Sequence, residues 1–85
     1  MRRSRIDIII DVLDAAQMGA NKTSVVYKTN LNFKLADKYL GLLQKHELVE
    51  NRSDKYITTA KGKIFLNKAK EVTQQLEEPS QNQLF

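Results

Sequence analysis

The chain has 85 residues, a formal net charge of +4, one proline and no cysteine. A chain this short hides only about 60–65% of its unfolded surface, so it makes one domain with a small core. The absence of cysteine excludes a disulfide scaffold, a thiolate metal site and thiol catalysis, and 41% hydrophobic residues are too many for a wholly disordered chain.

In chain order, the first helix opens at Ser4, an N-cap residue, with Asp7 placed at N3 to reach back toward it. Ile6, Ile9, Ile10, Leu13 and Ala16 follow helical spacing and form the expected buried face, with Asp7, Asp11 and Asp14 mainly opposite. Gly19 is expected to end this helix in a left-handed conformation, and Asn21 to continue the turn. A short second helix fits Ser24 to Thr29, with Thr23 as its cap and Val25 and Val26 turned inward. Asn30-Leu31-Asn32 breaks it, since asparagine tolerates turn geometry, and Asn32 is placed to cap a third helix from Phe33 to about His46.

The third helix carries an apolar set (Leu35, Ala36, Tyr39, Leu40, Leu42, Leu43) and a second stripe reading Lys34, Asp37, Lys38, Gly41 and Lys45. Gly41 costs about 1 kcal/mol relative to alanine inside a helix; a close approach to DNA or protein would explain it, as would a tolerated surface glycine. Leu48 to Arg52 and Lys55 to Thr59 read as two strands of a hairpin turning at Ser53-Asp54. Thr59 then caps a last helix from Ala60 to Glu78, stopped by Pro79. Residues 1–78 are expected to form one domain including the helix 60–78, and residues 79–85 a flexible tail.

This order of helix, short helix, turn, helix, hairpin and helix predicts an α+β, mostly α fold, a winged helix-turn-helix with a C-terminal dimerisation helix. In such an arrangement the third helix can enter the major groove of a duplex and the hairpin lies on the adjacent backbone. Charge supports the idea. From Lys22 to Lys63 nine basic residues stand against Asp37, Glu47, Glu50 and Asp54, whereas Asp7–Asp14 and the segment after Lys70 each carry a net charge of −3. Positive charge thus gathers where the fold would meet phosphates.

At these residues the chain also resembles a family. The run Lys22-Thr23-Ser24-Val25-Val26-Tyr27-Lys28-Thr29-Asn30-Leu31-Asn32-Phe33, then Tyr39-Leu40-x-x-Leu43 and Leu48-Val49, is similar to small archaeal winged-helix DNA-binding proteins of the ten-a type. Tyr56-x-x-Thr59-x-x-Gly62 is similar to the segment leading from the wing into their last helix, and the resemblance covers residues 5 to 76. It implies double-stranded DNA as ligand, a homodimer paired through the C-terminal helix, and a role in transcription regulation or chromosome organisation. Two positions depart from the pattern. Glu47 stands in place of a glycine before Leu48-Val49, and Thr58 in place of a core leucine.

The candidate DNA-binding residues are Lys22, Ser24, Lys28, Asn32, Phe33, Lys34, Lys38, Arg52 and Lys55. Spaced lysines often mark only a solvated face, but their position in a helix-turn-helix favours phosphate contact for Lys34 and Lys38. Ser24 and Asn32 lie at helix starts whose free N–H groups suit a phosphate, while Asn30 and Asn32 also read as turn and cap residues. Phe33 either touches a thymine methyl or packs under the wing. Arg52 and Lys55 flank the wing tip. Tyr27, Tyr39 and Tyr56 read as core or rim residues, and Arg2, Arg3 and Arg5 as a basic arm or an untethered terminus.

In the last helix Phe65, Ala69, Val72 and Leu76 are spaced 4, 3 and 4, the rhythm of a short coiled coil. Residues 60 to 68 are expected to pack on the domain through Ile64 and Phe65, leaving Val72 and Leu76 for a second copy; the first helix or Leu84-Phe85 would add to a small interface. Enzyme chemistry is not expected: no nucleophile has a base partner and no Gly-rich phosphate loop exists. His46 stands alone, so neither a metal nor another cofactor is expected. The longest apolar run, Ile8 to Ile10, is far below the roughly 18 residues needed to span a bilayer, and Asp7, Asp11 and Asp14 break any signal-peptide core. A cytoplasmic, nucleoid-associated protein is therefore expected. Two alternatives stay open, a winged-helix protein-interaction module and a DNA-packaging protein with little sequence preference.

Overall fold

The computed structural model describes residues 3–77, with side chains to Thr73, so the expectations for Arg2, the Leu76 side chain and the 79–85 tail with Leu84-Phe85 lie outside the described residues. Its elements are α1 (Arg5–Ala15), α2 (Lys22–Thr29), α3 (Phe33–Lys45), β1 (Val49–Arg52), β2 (Lys55–Thr58) and α4 (Ala60–Glu77). The α+β, mostly helical winged helix-turn-helix is thus realised.

The start of α1 follows its sequence. Ser4 Oγ accepts from the Asp7 N–H and Asp7 Oδ2 accepts from the Ser4 N–H, both at 3.1 Å, a reciprocal cap that satisfies two orphan donors. The buried face is shifted: Val12, Leu13 and Ala16 are fully enclosed, Ile9 and Ile10 pack at its edge, and Ile6 is exposed. The helix ends at Ala15, before Gly19, which adopts φ +92° beyond the intervening turn. The α2 helix begins two residues earlier than expected, because Asn21 rather than Thr23 is its cap, its Oδ1 accepting from the Ser24 N–H at 2.8 Å. Asn30 closes α2 in the left-handed region at φ 61°, and Asn32 Oδ1 caps α3 by accepting from the Leu35 N–H at 2.7 Å. Arg3 is not a free arm: its guanidinium donates to the Thr29 carbonyl at 2.8 Å and to Asp11 at 3.1 Å, tying the N-terminus to the end of α2.

The core runs between α1, α3 and the base of the hairpin, with Leu13, Leu40, Leu43 and Leu66 its largest enclosed side chains. Each such leucine stabilises the fold by about 1.5–3 kcal/mol. Beyond α3, Glu47 takes φ 65°; the Leu48 N–H donates to the Leu43 carbonyl at 2.9 Å and the Glu47 N–H to the Gln44 carbonyl at 3.0 Å. This is a Schellman ending with glutamate where glycine is favoured, so the departure noted in the sequence changes the residue and not the cap geometry.

The hairpin pairs Val49 with Thr58 and Arg52 with Lys55 in antiparallel register. Its strands stop one residue short of Leu48 and Thr59, which are joined by a Thr59 N–H to Leu48 carbonyl bond at 2.9 Å. Ala20 adds a short third edge, exchanging two backbone bonds with Tyr56 at 2.8 and 3.0 Å and fastening the hairpin to the α1–α2 turn. Thr58 is buried and its hydroxyl donates to the Leu13 carbonyl at 2.7 Å, so a polar residue serves at the core-facing position. Thr59 Oγ1 accepts from the Gly62 N–H at 2.9 Å and donates to the Glu47 carbonyl at 2.8 Å, capping α4 and linking it to the end of α3. A Cβ at residue 62 would lie 2.1 Å from the Leu48 carbonyl oxygen, so only glycine allows α4 to start this close to β1. Within α4, Leu66 reaches the core and Phe65 packs at its margin, whereas Ile64 is 59% exposed, against its expected inward role.

Candidate nucleic-acid interface

The amphipathic α3 buries Ala36, Tyr39, Leu40 and Leu43 and presents Phe33, Lys34, Asp37, Lys38, Gly41 and Lys45 to solvent. Leu42, expected inward, is partly exposed. The alternation is the direct result of 3.6-residue periodicity: once Leu40 and Leu43 face the core, residues 34, 37, 38 and 41 must face away. Phe33 is 52% exposed at the first turn, so it is not enclosed under the wing. The Lys38 ammonium lies 5.8 Å from the centroid of the Tyr39 ring, and Tyr39 itself belongs to the core.

The turn before α3 combines the left-handed Asn30 with the Asn32 cap, which fixes the angle at which α3 leaves α2. The Asn32 side chain is engaged in that cap, though the residue is exposed; Ser24 sits in the first turn of α2 and is half-buried. Lys22 forms an ion pair with Asp37, joining the first turn of α2 to the outward face of α3. The hydrogen bond with Asp37 is the main reason the Lys22 ammonium titrates above the usual lysine range, with a smaller opposing contribution from desolvation. Lys28 is exposed and borders α1, lining a polar hollow of about 280 Å³ with Asp11, Asp14 and Ala15.

At the wing, Arg52 and Lys55 are paired across the hairpin and both exposed, with Ser53 at the tip in the left-handed region at φ 56°. Arg52 Nε contacts Glu50 Oε2 at 2.6 Å along the same strand. Such an exposed pair contributes about 0–1 kcal/mol, so it orients the arginine more than it stabilises the wing.

Three features went unread in the sequence. Tyr27 is 88% exposed, outside both the core and its rim; it lies two residues from each of Val25 and Thr29, which are buried one turn apart, so helical spacing alone would have turned it outward. Asp37 is engaged with Lys22, a pairing across two helices that no local pattern reveals. The Ala20–Tyr56 bridge, which anchors the wing, depends on a single residue too short to read as a strand.

The α4 stripe borders two apolar clefts that meet at Phe65. One, of about 390 Å³, is lined by Ile6, Phe65, Lys68, Ala69, Val72 and Thr73, and the other, of about 400 Å³, lies among Ile9, Leu42, His46, Leu48 and Lys61. Val72 is 57% exposed and Ala69 half-buried. Among the described residues no three histidine, cysteine, aspartate or glutamate side chains gather as a metal site, and no helix is long and apolar enough to cross a membrane.

An outward cationic helix, fixed by a left-handed turn to a short preceding helix and flanked by a two-stranded wing that carries Arg52 and Lys55, defines a class, and the chain belongs to it: residues 2–77 match the winged helix-turn-helix family. It has the make-up of the small archaeal winged-helix proteins. Among solved structures it is similar to Sso10a-2, a DNA-binding protein from Sulfolobus solfataricus, with a TM-score of 0.82 and 26% identity over 94% of this chain and 88% of that one. It is also 33% identical over 73 residues to the uncharacterized protein MJ0290 of Methanocaldococcus jannaschii, an alignment that takes in 85% of this chain and 35% of that relative.

Proposed function

We propose that this protein binds double-stranded DNA as a homodimer and regulates transcription, with α3 in the major groove and the 50–56 wing on the flanking backbone. The observation that carries this reading is the exposed face of α3, where Lys34 and Lys38 stand clear of the core on a helix of groove-filling width. Phe33, Ser24 and Asn32 lie at the helix starts beside it, Arg52 and Lys55 extend it onto the wing, Lys22 flanks it on α2, and Lys28 would meet phosphate from the side of α2 next to Asp11 and Asp14. The likeness to a solved DNA-binding protein supports the same ligand.

Pairing through α4 follows from its outer stripe. Phe65, Ala69 and Val72 line a shallow apolar cleft with Ile6, and a second copy of α4 would remove that surface from water. A symmetric dimer would set two α3 helices on half-sites about one helical turn, ~34 Å, apart. The reading assigns the protein no catalytic step, no cofactor and a place of action beside the chromosome, in the cytoplasm.

Titration of duplex binding against salt tests it. With about 4–6 phosphate contacts per subunit, log affinity should fall with log salt by about 0.9 per contact. A flat dependence, or no duplex binding at low salt, would instead support a protein-interaction module. Equal affinity for random and selected duplexes would support a packaging role.

A further inference from the structure

The exposed face of α3 is not uniformly cationic. Lys34, Asp37, Lys38 and Gly41 fall at i, i+3, i+4 and i+7, one continuous outward stripe, with a carboxylate at its centre. A helix that only neutralised phosphates would be weakened by that carboxylate. Here Lys22, from the adjacent α2, holds Asp37 Oδ1, yet the Asp37 side chain keeps 60% of its exposure. Among the described residues Asp37 has no other hydrogen-bond donor or ion-pair partner, so its exposed carboxylate keeps acceptor capacity on the outward stripe of α3.

One turn further along the same stripe is Gly41. Among the described residues a Cβ there would meet no atom within 4 Å, so no described contact requires glycine, and glycine weakens a helix interior relative to alanine. The absent side chain leaves a shallow notch beside Asp37, and it lowers the height of the helix surface where a partner would approach.

We infer that Asp37 is a specificity-determining residue: fixed by Lys22, its carboxylate accepts a hydrogen bond from the N4 amino group of a cytosine in the major groove, and Gly41 gives α3 the clearance to bring it there. Cytosine is favoured over the other bases by its edge. Guanine presents only the O6 and N7 acceptors and thymine the O4 acceptor, which repel a carboxylate, and the adenine N6 donor lies beside the N7 acceptor. The inference rests on the DNA-binding reading above and deepens it, because a carboxylate read against base edges makes the interface selective and argues against indiscriminate packaging.

Selection of bound duplexes from a random pool, run in parallel with the unaltered protein, Asp37→Ala and Asp37→Asn, tests it. The unaltered protein should enrich cytosine at one position of its site. Asp37→Ala should lose the preference at that position alone while binding random duplex at least as tightly, and Asp37→Asn should move it toward adenine, whose N6 and N7 suit an amide. Gly41→Ala should raise the melting temperature while weakening binding to the selected duplex at least tenfold. An unchanged motif in Asp37→Ala, or undiminished affinity in Gly41→Ala, overturns the inference while leaving DNA binding intact. Failure of the unaltered protein to bind any duplex at low salt is a separate result that overturns the DNA-binding reading and this inference with it.

Discussion

The hydroxyl of Thr58, at the end of the wing, donates to the carbonyl of Leu13 in α1 at 2.7 Å, joining two residues 45 positions apart within the core. The Thr58 N–H donates to the Ala16 carbonyl at 2.9 Å, so one residue takes up two carbonyls at the C-terminal end of α1. Removing the hydroxyl without changing the shape leaves the Leu13 carbonyl buried and short of a partner. Thr58→Val is therefore expected to destabilise the fold by about 1–3 kcal/mol. In calorimetry at fixed protein concentration, each kcal/mol lowers Tm by about 4–8 °C in a chain of this size. Thr58→Ser, which keeps the donor, should fall much less.

Glu47 occupies the left-handed position of the α3 ending at φ 65°, where a side chain costs about 1–2 kcal/mol relative to an unstrained residue. Its ion pair to Lys61, at 3.8 Å, is exposed and weak. Glu47→Gly should raise stability by about 1 kcal/mol, part of the relief being offset by the greater freedom of glycine in the unfolded chain. Denaturant unfolding with an unchanged m-value would report it as a shift of the midpoint alone.

Lys22 titrates above the usual lysine range because Asp37 hydrogen-bonds to its charged form. Its folded value thus exceeds its unfolded one, so the stabilisation is whole at neutral pH and is lost as pH climbs through the folded value. In an NMR titration the Lys22 side chain should deprotonate at higher pH than in the Asp37→Asn variant, which removes the carboxylate that holds its charged form.

Replacing Lys34 and Lys38 together by alanine should weaken duplex binding and lower the magnitude of the salt slope by about 1.8 per subunit, from 0.9 for each lost phosphate contact. Both residues are exposed on α3, so the unfolding free energy should stay within about 1 kcal/mol of that of the unaltered protein. A fall in affinity with an unaltered slope would mean that these lysines do not meet phosphates.

Val72 lies on α4 beyond the contact of Leu66 with the core and borders the cleft shared with Ile6 and Phe65. Val72→Asp should convert a sedimenting dimer into a folded monomer with unchanged far-ultraviolet circular dichroism. Persistence of the dimer would place the interface elsewhere.

Local chemistry made the helical frame legible. Ser4 with Asp7, Asn32 before Phe33, and Thr59 before Ala60 each satisfy backbone donors within three residues, so the starts of α1, α3 and α4 could be read from neighbouring letters alone. The cap of α2 is ambiguous in the sequence because Asn21 and Thr23 are both competent caps, and the fold uses Asn21, whose Oδ1 reaches the Ser24 N–H. Periodicity likewise located the outward face of α3, with Lys34, Lys38 and the half-exposed Phe33.

By itself, then, the sequence determined the order of elements, their polarity and the concentration of positive charge between residues 22 and 63, since each depends on neighbours within one or two turns or on simple counts. Tertiary structure alone decided which candidates stand free. It drew Lys22 onto Asp37, set Lys28 beside the α1 acids, turned Ile64 outward, and fastened the wing through Ala20 and Thr58. Those outcomes depend on how helices cross and where the hairpin lands. Such contacts join residues far apart in the chain, and no local spacing encodes them.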